Sequence, residues 1–141
     1  MITEVRDYFM GVVQTVDSDL DFDGFIFDTE STGHTTIDNT FKLVLLDSGV
    51  SRLDTSYDNS MSVEVWIYKS SGYDRVEDFD ETYCKAIEIA AVGMDQSRID
   101  QEGYIKSVIA GSVSSEKFED NDNAMRFRIQ FSVSIHFSIE D

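Results

Sequence analysis

Hydrophobic residues recur every three or four positions over the first sixteen residues, which predicts an amphipathic helix. Its apolar side carries Ile2, Val5, Phe9, Val12, Val13 and Val16. Beyond this helix the apolar residues alternate with polar ones, which is typical of a strand. Residues 25–27 (FIF) therefore predict a short strand that leaves a turn at Asp23-Gly24.

Two further segments predict strands. Residues 41–47 (FKLVLLD) are mostly apolar and predict a short buried strand, and residues 61–69 (MSVEVWIYK) alternate strictly. One face of the second strand holds Met61, Val63, Val65 and Ile67. Trp66 and Tyr68 fall on the opposite face, where we expect a helix or a partner chain to cover them.

A second helix and a closing hairpin follow. Apolar positions between residues 74 and 94 again step by three and four, which predicts the principal helix. These positions are Val76, Phe79, Tyr83, Ala86, Ile87, Ala90 and Met94. Residues 104–114 then predict a strand, residues 115–123 (SEKFEDNDN) an acidic loop, and the residues from Ala124 onward a final strand.

The final strand has the most regular pattern in the chain, because every second residue from Met125 to Ile139 is apolar. At about 3.3 Å per residue, such a strand is longer than most strands in globular proteins. We therefore expect its end, with Phe137 and Ile139, to project past its own sheet and contact a neighbouring subunit.

The elements predict an α+β fold in a single domain, residues 1–141. The N-terminal helix and the central helix would pack on a mixed or antiparallel sheet. A β-hairpin with a long C-terminal strand would close the chain.

The charge is strongly negative, with 28 acidic and 11 basic residues and a formal net charge of −17. Binding to nucleic acid requires clustered Lys and Arg to displace counterions, so this composition disfavours specific DNA binding. Apolar runs stay well below the roughly 18 residues that a membrane span needs, and we expect no membrane role. Cys84 is the single cysteine, so the fold is expected to form without an intrachain disulfide.

Residues 19–30 (DLDFDGFIFDTE) match the pattern of an EF-hand calcium loop. The ligand positions would be Asp19, Asp21, Asp23 and Glu30, with Gly24 at the sharp turn. A predicted helix precedes this loop, but the segment after it has no apolar stripe for the second helix. We therefore favour a strand here, and a calcium-stabilised binding module is the alternative.

Catalytic groups do not converge in the sequence. His34 and His136 each lack a second His or Cys at ligand spacing. Cys84 lies within a predicted helix among acidic residues, which disfavours a reactive thiolate. We predict that the chain is not an enzyme and holds no metal or cofactor. The alternative is a small cone-shaped enzyme or ligand-binding domain, in which the helix over residues 74–94 crosses a curved sheet.

The order of the predicted elements, together with the closing strand RFRIQFSVSIHF, resembles the tail terminator proteins of long-tailed phages and related archaeal viruses. The resemblance spans nearly the whole chain and rests on size, element order and the final strand. It implies a structural virion protein, a homo-oligomer and most simply a hexameric ring, at the head-proximal end of the tail tube. Such a ring ends tail polymerisation and joins the tail to the head connector.

The resemblance also implies partners and a location. The partners would be the tail tube protein and the connector or stopper protein of the head, in a virion assembled in the host cytoplasm. No catalytic residue is implied. We assign the subunit interface to Trp66, Tyr68, Phe137 and Ile139.

The acidic loop is assigned to the channel of the ring, through Glu116, Glu119, Asp120 and Asp122, and the alternative is a hairpin tip exposed to solvent without a function. Carboxylates repel phosphate over about 8 Å at physiological salt. DNA would therefore pass through the ring without binding to it.

Overall fold

The computed structural model describes residues 2–27, 40–46, 56–69, 76–118 and 121–138. In chain order the elements are α1 (Ile2–Val16), β1 (Asp21–Phe27), β2 (Thr40–Leu46), β3 (Ser56–Lys69), α2 (Val76–Gly93), α3 (Gln96–Asp100), β4 (Ile105–Phe118) and β5 (Asn121–Ser138). The strands form one sheet in the order β1-β2-β3-β5-β4. β1 and β2 are parallel and the other neighbours are antiparallel, so the sheet is mixed and the predicted α+β class is confirmed.

The main core lies between the helices and one face of the sheet. α1 buries the side predicted from its spacing, and its Phe9 ring lies 4.8 Å from the ring of Phe131 in β5, centroid to centroid. The inward rows of β3 and β5 supply alternate apolar residues, as the period of two predicts. Tyr8 is also buried, and its hydroxyl donates a hydrogen bond of 2.5 Å to the carbonyl of Gly93 at the end of α2.

The buried face of α2 is rotated about the helix axis relative to the face that the sequence predicts. Ala86 and Ala90 are buried as expected, but Ile87 and Met94 are 48% and 42% exposed, and Ile89 is fully buried. Spacings of three and four fit either isoleucine, because both lie close to the edge of the same apolar stripe. The contact of the helix with the sheet selects Ile89.

β1 contains a bulge. Its register with β2 shifts between Phe22 and Gly24, so that Asp23 is an additional residue. As a result Phe22 and Phe25 both pack on the core, although residues three apart in a regular strand point to opposite faces. The turn predicted at Asp23-Gly24 is therefore a bulge within a strand that begins at Asp21.

β5 does not project beyond its sheet as far as Ser138, so the predicted projection is wrong for Phe137, and contact of this end with a neighbouring subunit stays a prediction. It pairs with β3 continuously from Met125 opposite Lys69 to Ser138 opposite Ser56. Phe137 lies opposite Tyr57, inside this ladder. β3 is itself 14 residues long, and the alternation in the sequence predicts strand only over its residues 61–69. Ile139 lies outside the described residues.

The closing hairpin is longer, and its connection shorter, than predicted. β4 continues to Phe118 and β5 begins at Asn121, where these two residues lie opposite each other. The predicted loop over residues 115–123 is therefore largely strand. β4 forms an edge of the sheet, and its register with β5 shifts at three places. Such irregularities discourage uncontrolled pairing at a sheet edge.

Candidate functional site

The outer face of the sheet, opposite the helices, carries a cluster of charged and aromatic residues that we call the outer-face cluster. Its members are Lys42, Glu64, Trp66, Tyr68, Arg126 and Arg128. They come together because of strand register. Trp66 lies opposite Lys42 on β2 and opposite Arg128 on β5, and Tyr68 lies opposite Arg126. Directly opposed residues in a sheet have neighbouring side chains.

Trp66 is the centre of this cluster. The guanidinium carbon of Arg126 lies 3.9 Å from the Trp66 ring centroid, and that of Arg128 lies 5.5 Å from it. Both distances fall within the range of cation–π attraction. The indole N–H donates a hydrogen bond of 2.9 Å to Oε1 of Glu64. The ring is thus held by contacts on its face and at its edge.

Glu64 connects the aromatic ring to the cations. Nη2 of Arg128 lies 2.8 Å from Oε1 and 3.0 Å from Oε2 of this carboxylate, which is buried. Such charge-assisted hydrogen bonds are stronger than those between neutral groups. A second ion pair joins Lys42 to Asp23 of the β1 bulge at 3.6 Å. Each of these carboxylates therefore faces a cation.

Burial shifts the pKa of two members of the cluster. It lowers the pKa of Arg126, an effect that the nearby Tyr68 partly offsets. Burial also raises the pKa of Tyr68, against the opposing influence of Arg126. Both shifts have desolvation as their main cause, since a charged form is less stable away from water.

Trp66 and Tyr68 are covered within the chain itself, whereas the sequence led us to expect a helix or a partner chain over them. Their exposed fractions are 1% and 2%, and they form a second small core with Val44, against which Ile26 and Leu46 pack. Arg126 and Arg128 of β5 lie against the Trp66 ring. Exposure therefore gives no support to the assignment of Trp66 and Tyr68 to a subunit interface, and that assignment stays a prediction.

The four acidic residues assigned to a channel do not share one loop. Glu116 lies in β4 at the register position opposite Arg126, and Asp122 lies in β5. The positions of their side chains are not described. Glu119 and Asp120 lie outside the described residues. Their assignment to a channel stays a prediction.

The calcium-loop pattern falls largely on β1. Asp21 is exposed at the start of this strand, and the carboxylate of Asp23 pairs with Lys42. Ligands of an EF-hand instead converge on one ion from a loop between two helices. Over the ranges that the structure describes, no three His, Cys, Asp or Glu side chains gather in a way that could hold a metal. Glu30 lies outside these ranges.

The structure places His136 and Cys84 on different elements. His136 occupies the register position opposite Asp58 in the β3–β5 ladder, and His34 lies outside the described residues. Cys84 is exposed on α2. Among the described helices, none has the length and apolar character needed to cross a membrane.

The fold defines the protein as an α+β domain with two helices of several turns on one face of a mixed sheet. No protein-family model matches the chain, and no curated protein matches it. Among solved structures the chain is similar to one from the virion of a native gene transfer agent particle. The two are 9% identical, the likeness covers 92% of this chain and 84% of the other, and the TM-score is 0.42. A likeness of this size carries no argument about function.

Proposed function

We propose that the chain is a structural protein of a virus particle, of the tail terminator kind. The observation that supports this proposal is the order of elements: an N-terminal helix, strands, a central helix after the strand that contains Trp66, and a closing hairpin. The resemblance described above rests on the same order. The final strand, on which it also rests, is present and runs for 18 residues.

In this function the chain forms a closed ring, most simply a hexamer, at the head-proximal end of the tail tube. Cyclic symmetry allows one surface of each copy to contact a different surface of the next until the ring closes. The ring ends polymerisation of the tube and provides the surface on which the head connector or stopper protein docks. It acts without catalysis and without a cofactor.

The passage of DNA follows from the charge. A protein of net charge −17 repels phosphate, so a genome can move through the ring without binding to its wall. The segment SEKFEDNDN, with Glu116, Glu119, Asp120 and Asp122, is the one that we place at the channel.

Disruption of the gene in cells that produce the particles tests this proposal. Particles without the protein should have tails of irregular length and heads separated from tails, because both termination and joining fail together. A complementing copy of the gene should restore tails of one length joined to heads. Particles of normal form in electron micrographs of the disrupted strain would contradict the proposed function.

A further inference from the structure

α2 has a second apolar stripe on the side that faces away from the sheet. We call it the outer stripe, and it consists of Cys84, Ile87, Ala91 and Met94, all exposed. The spacing of three and four places these residues in one line along the helix. Met94 directly follows α2 and continues its turn, since its N–H donates to the carbonyl of Ala91 at 3.2 Å.

Acidic residues accompany the outer stripe along its length. Glu81 and Glu88 are seven positions apart, so they lie in line on one side of it, and Asp95 follows at the same interval just beyond the helix. Asp80 lies at the N-terminal end of the stripe. All four are exposed. The lysine of α2, Lys85, is turned toward Asp17, with its Nζ 3.5 Å from the carboxylate.

We infer that the outer stripe is a docking site for an amphipathic helix of another protein, one whose apolar stripe is bordered by Lys or Arg. Ile87 and Met94 would enter the apolar contact, and the carboxylates beside them would pair with the partner's cations. A second copy of α2 would bring the same carboxylates against these, and like charges in an interface oppose association. This inference is independent of the proposed virion function.

The inference is tested by calorimetric titration of the whole protein with a synthetic helix of the same length as α2, 18 residues. The peptide carries Leu at spacings of three and four and Lys at the other positions. A peptide of identical composition, with the Leu positions scrambled, controls for attraction to the overall negative charge. The periodic peptide should bind at least about tenfold more tightly than the scrambled one.

Two double variants of unchanged charge locate the site. Ile87→Ser with Met94→Ser should weaken binding of the periodic peptide about tenfold or more. Tyr104→Ser with Ile109→Ser removes side chains that are 46% and 62% exposed beyond α2 and should leave binding unchanged. Circular dichroism should show that both variants are folded, because all four side chains are largely outside the core.

Several outcomes would overturn the inference. Equal binding of the periodic and scrambled peptides would show charge attraction alone. Undiminished binding to the Ile87→Ser, Met94→Ser variant would place the peptide elsewhere. Sedimentation showing a dimer of the unmodified protein that these two substitutions dissociate would make a second copy the occupant.

Discussion

On the outer face of the sheet, buried charges that have hydrogen-bond partners stabilise the fold together with buried apolar side chains. Glu64 is the clearest case, because it accepts hydrogen bonds from both Trp66 and Arg128 while almost completely buried. A buried carboxylate is tolerated only with partners of this kind. Its removal leaves an indole N–H and a guanidinium without their acceptor.

Glu64→Ala should therefore lower the free energy of unfolding by about 2 to 3 kcal/mol. Glu64→Gln keeps an acceptor oxygen for both donors and should lower it less. Urea denaturation measures both values. Ser132→Ala, at an exposed position of the same sheet face, is the control and should stay within about 0.5 kcal/mol of the parent protein. Equal effects of Glu64→Ala and Ser132→Ala would contradict this role for Glu64.

Gly93 and Gly11 both lie in helices, but replacement by Ala is expected to change stability in opposite directions at the two positions. A Cβ on Gly93 would lie 2.9 Å from Cε1 of Phe131, a buried ring that also contacts Phe9. Gly93→Ala should destabilise by about 1 to 3 kcal/mol, since overpacking outweighs the better helix propensity. A Cβ on Gly11 meets only Arg98, at 3.9 Å, so Gly11→Ala should stabilise by about 0.5 to 1 kcal/mol. Thermal unfolding that shows the same sign for both would count against this packing.

Tyr8 makes stability depend on pH in the alkaline range. Burial raises its pKa from 10.0 to about 12 in the folded protein. Below pH 10 both the folded and the unfolded chain hold the proton, and its full contribution to stability is present. As the pH rises from 10 toward 12, the unfolded chain loses the proton first and this contribution disappears.

Tyr8→Phe should therefore lose less stability than the parent protein between pH 10 and 12. At neutral pH it should be less stable by about 1 kcal/mol, because the hydrogen bond to Gly93 is absent. Tyr104→Phe, at an exposed position, is the control and should follow the parent curve. Parallel curves for Tyr8→Phe and the parent protein from pH 7 to 12 would refute the assignment.

At the scale of elements, the β1 bulge determines which phenylalanines reach the core. Gly24 has a φ of 142°, a conformation that residues with a side chain rarely adopt. Gly24→Ala should lower the free energy of unfolding by about 1 to 2 kcal/mol through backbone strain alone, since a Cβ there meets nothing within 4 Å. Gly103→Ala, which also meets nothing, should be close to neutral. A neutral Gly24→Ala in chemical denaturation would mean that the bulge tolerates a side chain.

The periodicity of the sequence predicted the elements better than it predicted their contacts. The inward rows of β3 and β5 follow from strict alternation, and the buried side of α1 follows from its spacing. The position of Trp66 in a buried cluster depends on the pairing of β3 with β5, which are more than fifty positions apart in the chain. Pairing at that distance leaves no mark in local periodicity.

Local ambiguity explains the remaining differences. A helix with isoleucine at both positions 87 and 89 can turn either one inward, and only the sheet decides between them. The extra residue at Asp23 reverses the alternation of β1. A period of two would therefore place Phe22 and Phe25 on opposite faces of the sheet, whereas both pack on the core. The polar residues at the end of β4 and the start of β5 resembled a loop in composition, so the predicted loop over residues 115–123 was too long.

At the scale of the whole molecule, the charge of the closing hairpin is expected to affect genome passage rather than assembly. Replacing Glu116, Glu119, Asp120 and Asp122 by Lys should leave the ring intact but slow DNA delivery, because cations in the channel would hold phosphate. The control changes the net charge equally by replacing the exposed Asp7, Asp19, Asp21 and Asp100. Delivery assays should show normal rates for the control. Equal rates for both variants would remove the hairpin from the channel.

The native mass of the purified protein tests ring formation. Closure into a hexamer of the 16.0 kDa chain should give a particle of about 96 kDa in native mass spectrometry. Negative-stain images should then show a ring with an open centre. A defined dimer that does not grow with concentration would contradict a cyclic ring of this size.

The most direct test of the proposed function is the position of the chain in purified particles. Gold-labelled antibody against the protein, applied to intact virions and viewed by electron microscopy, reports this position. The account predicts label confined to the junction between head and tail, and none on a strain in which the gene is disrupted. Label along the tail or on the head surface, or unlabelled particles in which mass spectrometry also finds none of its peptides, would contradict it.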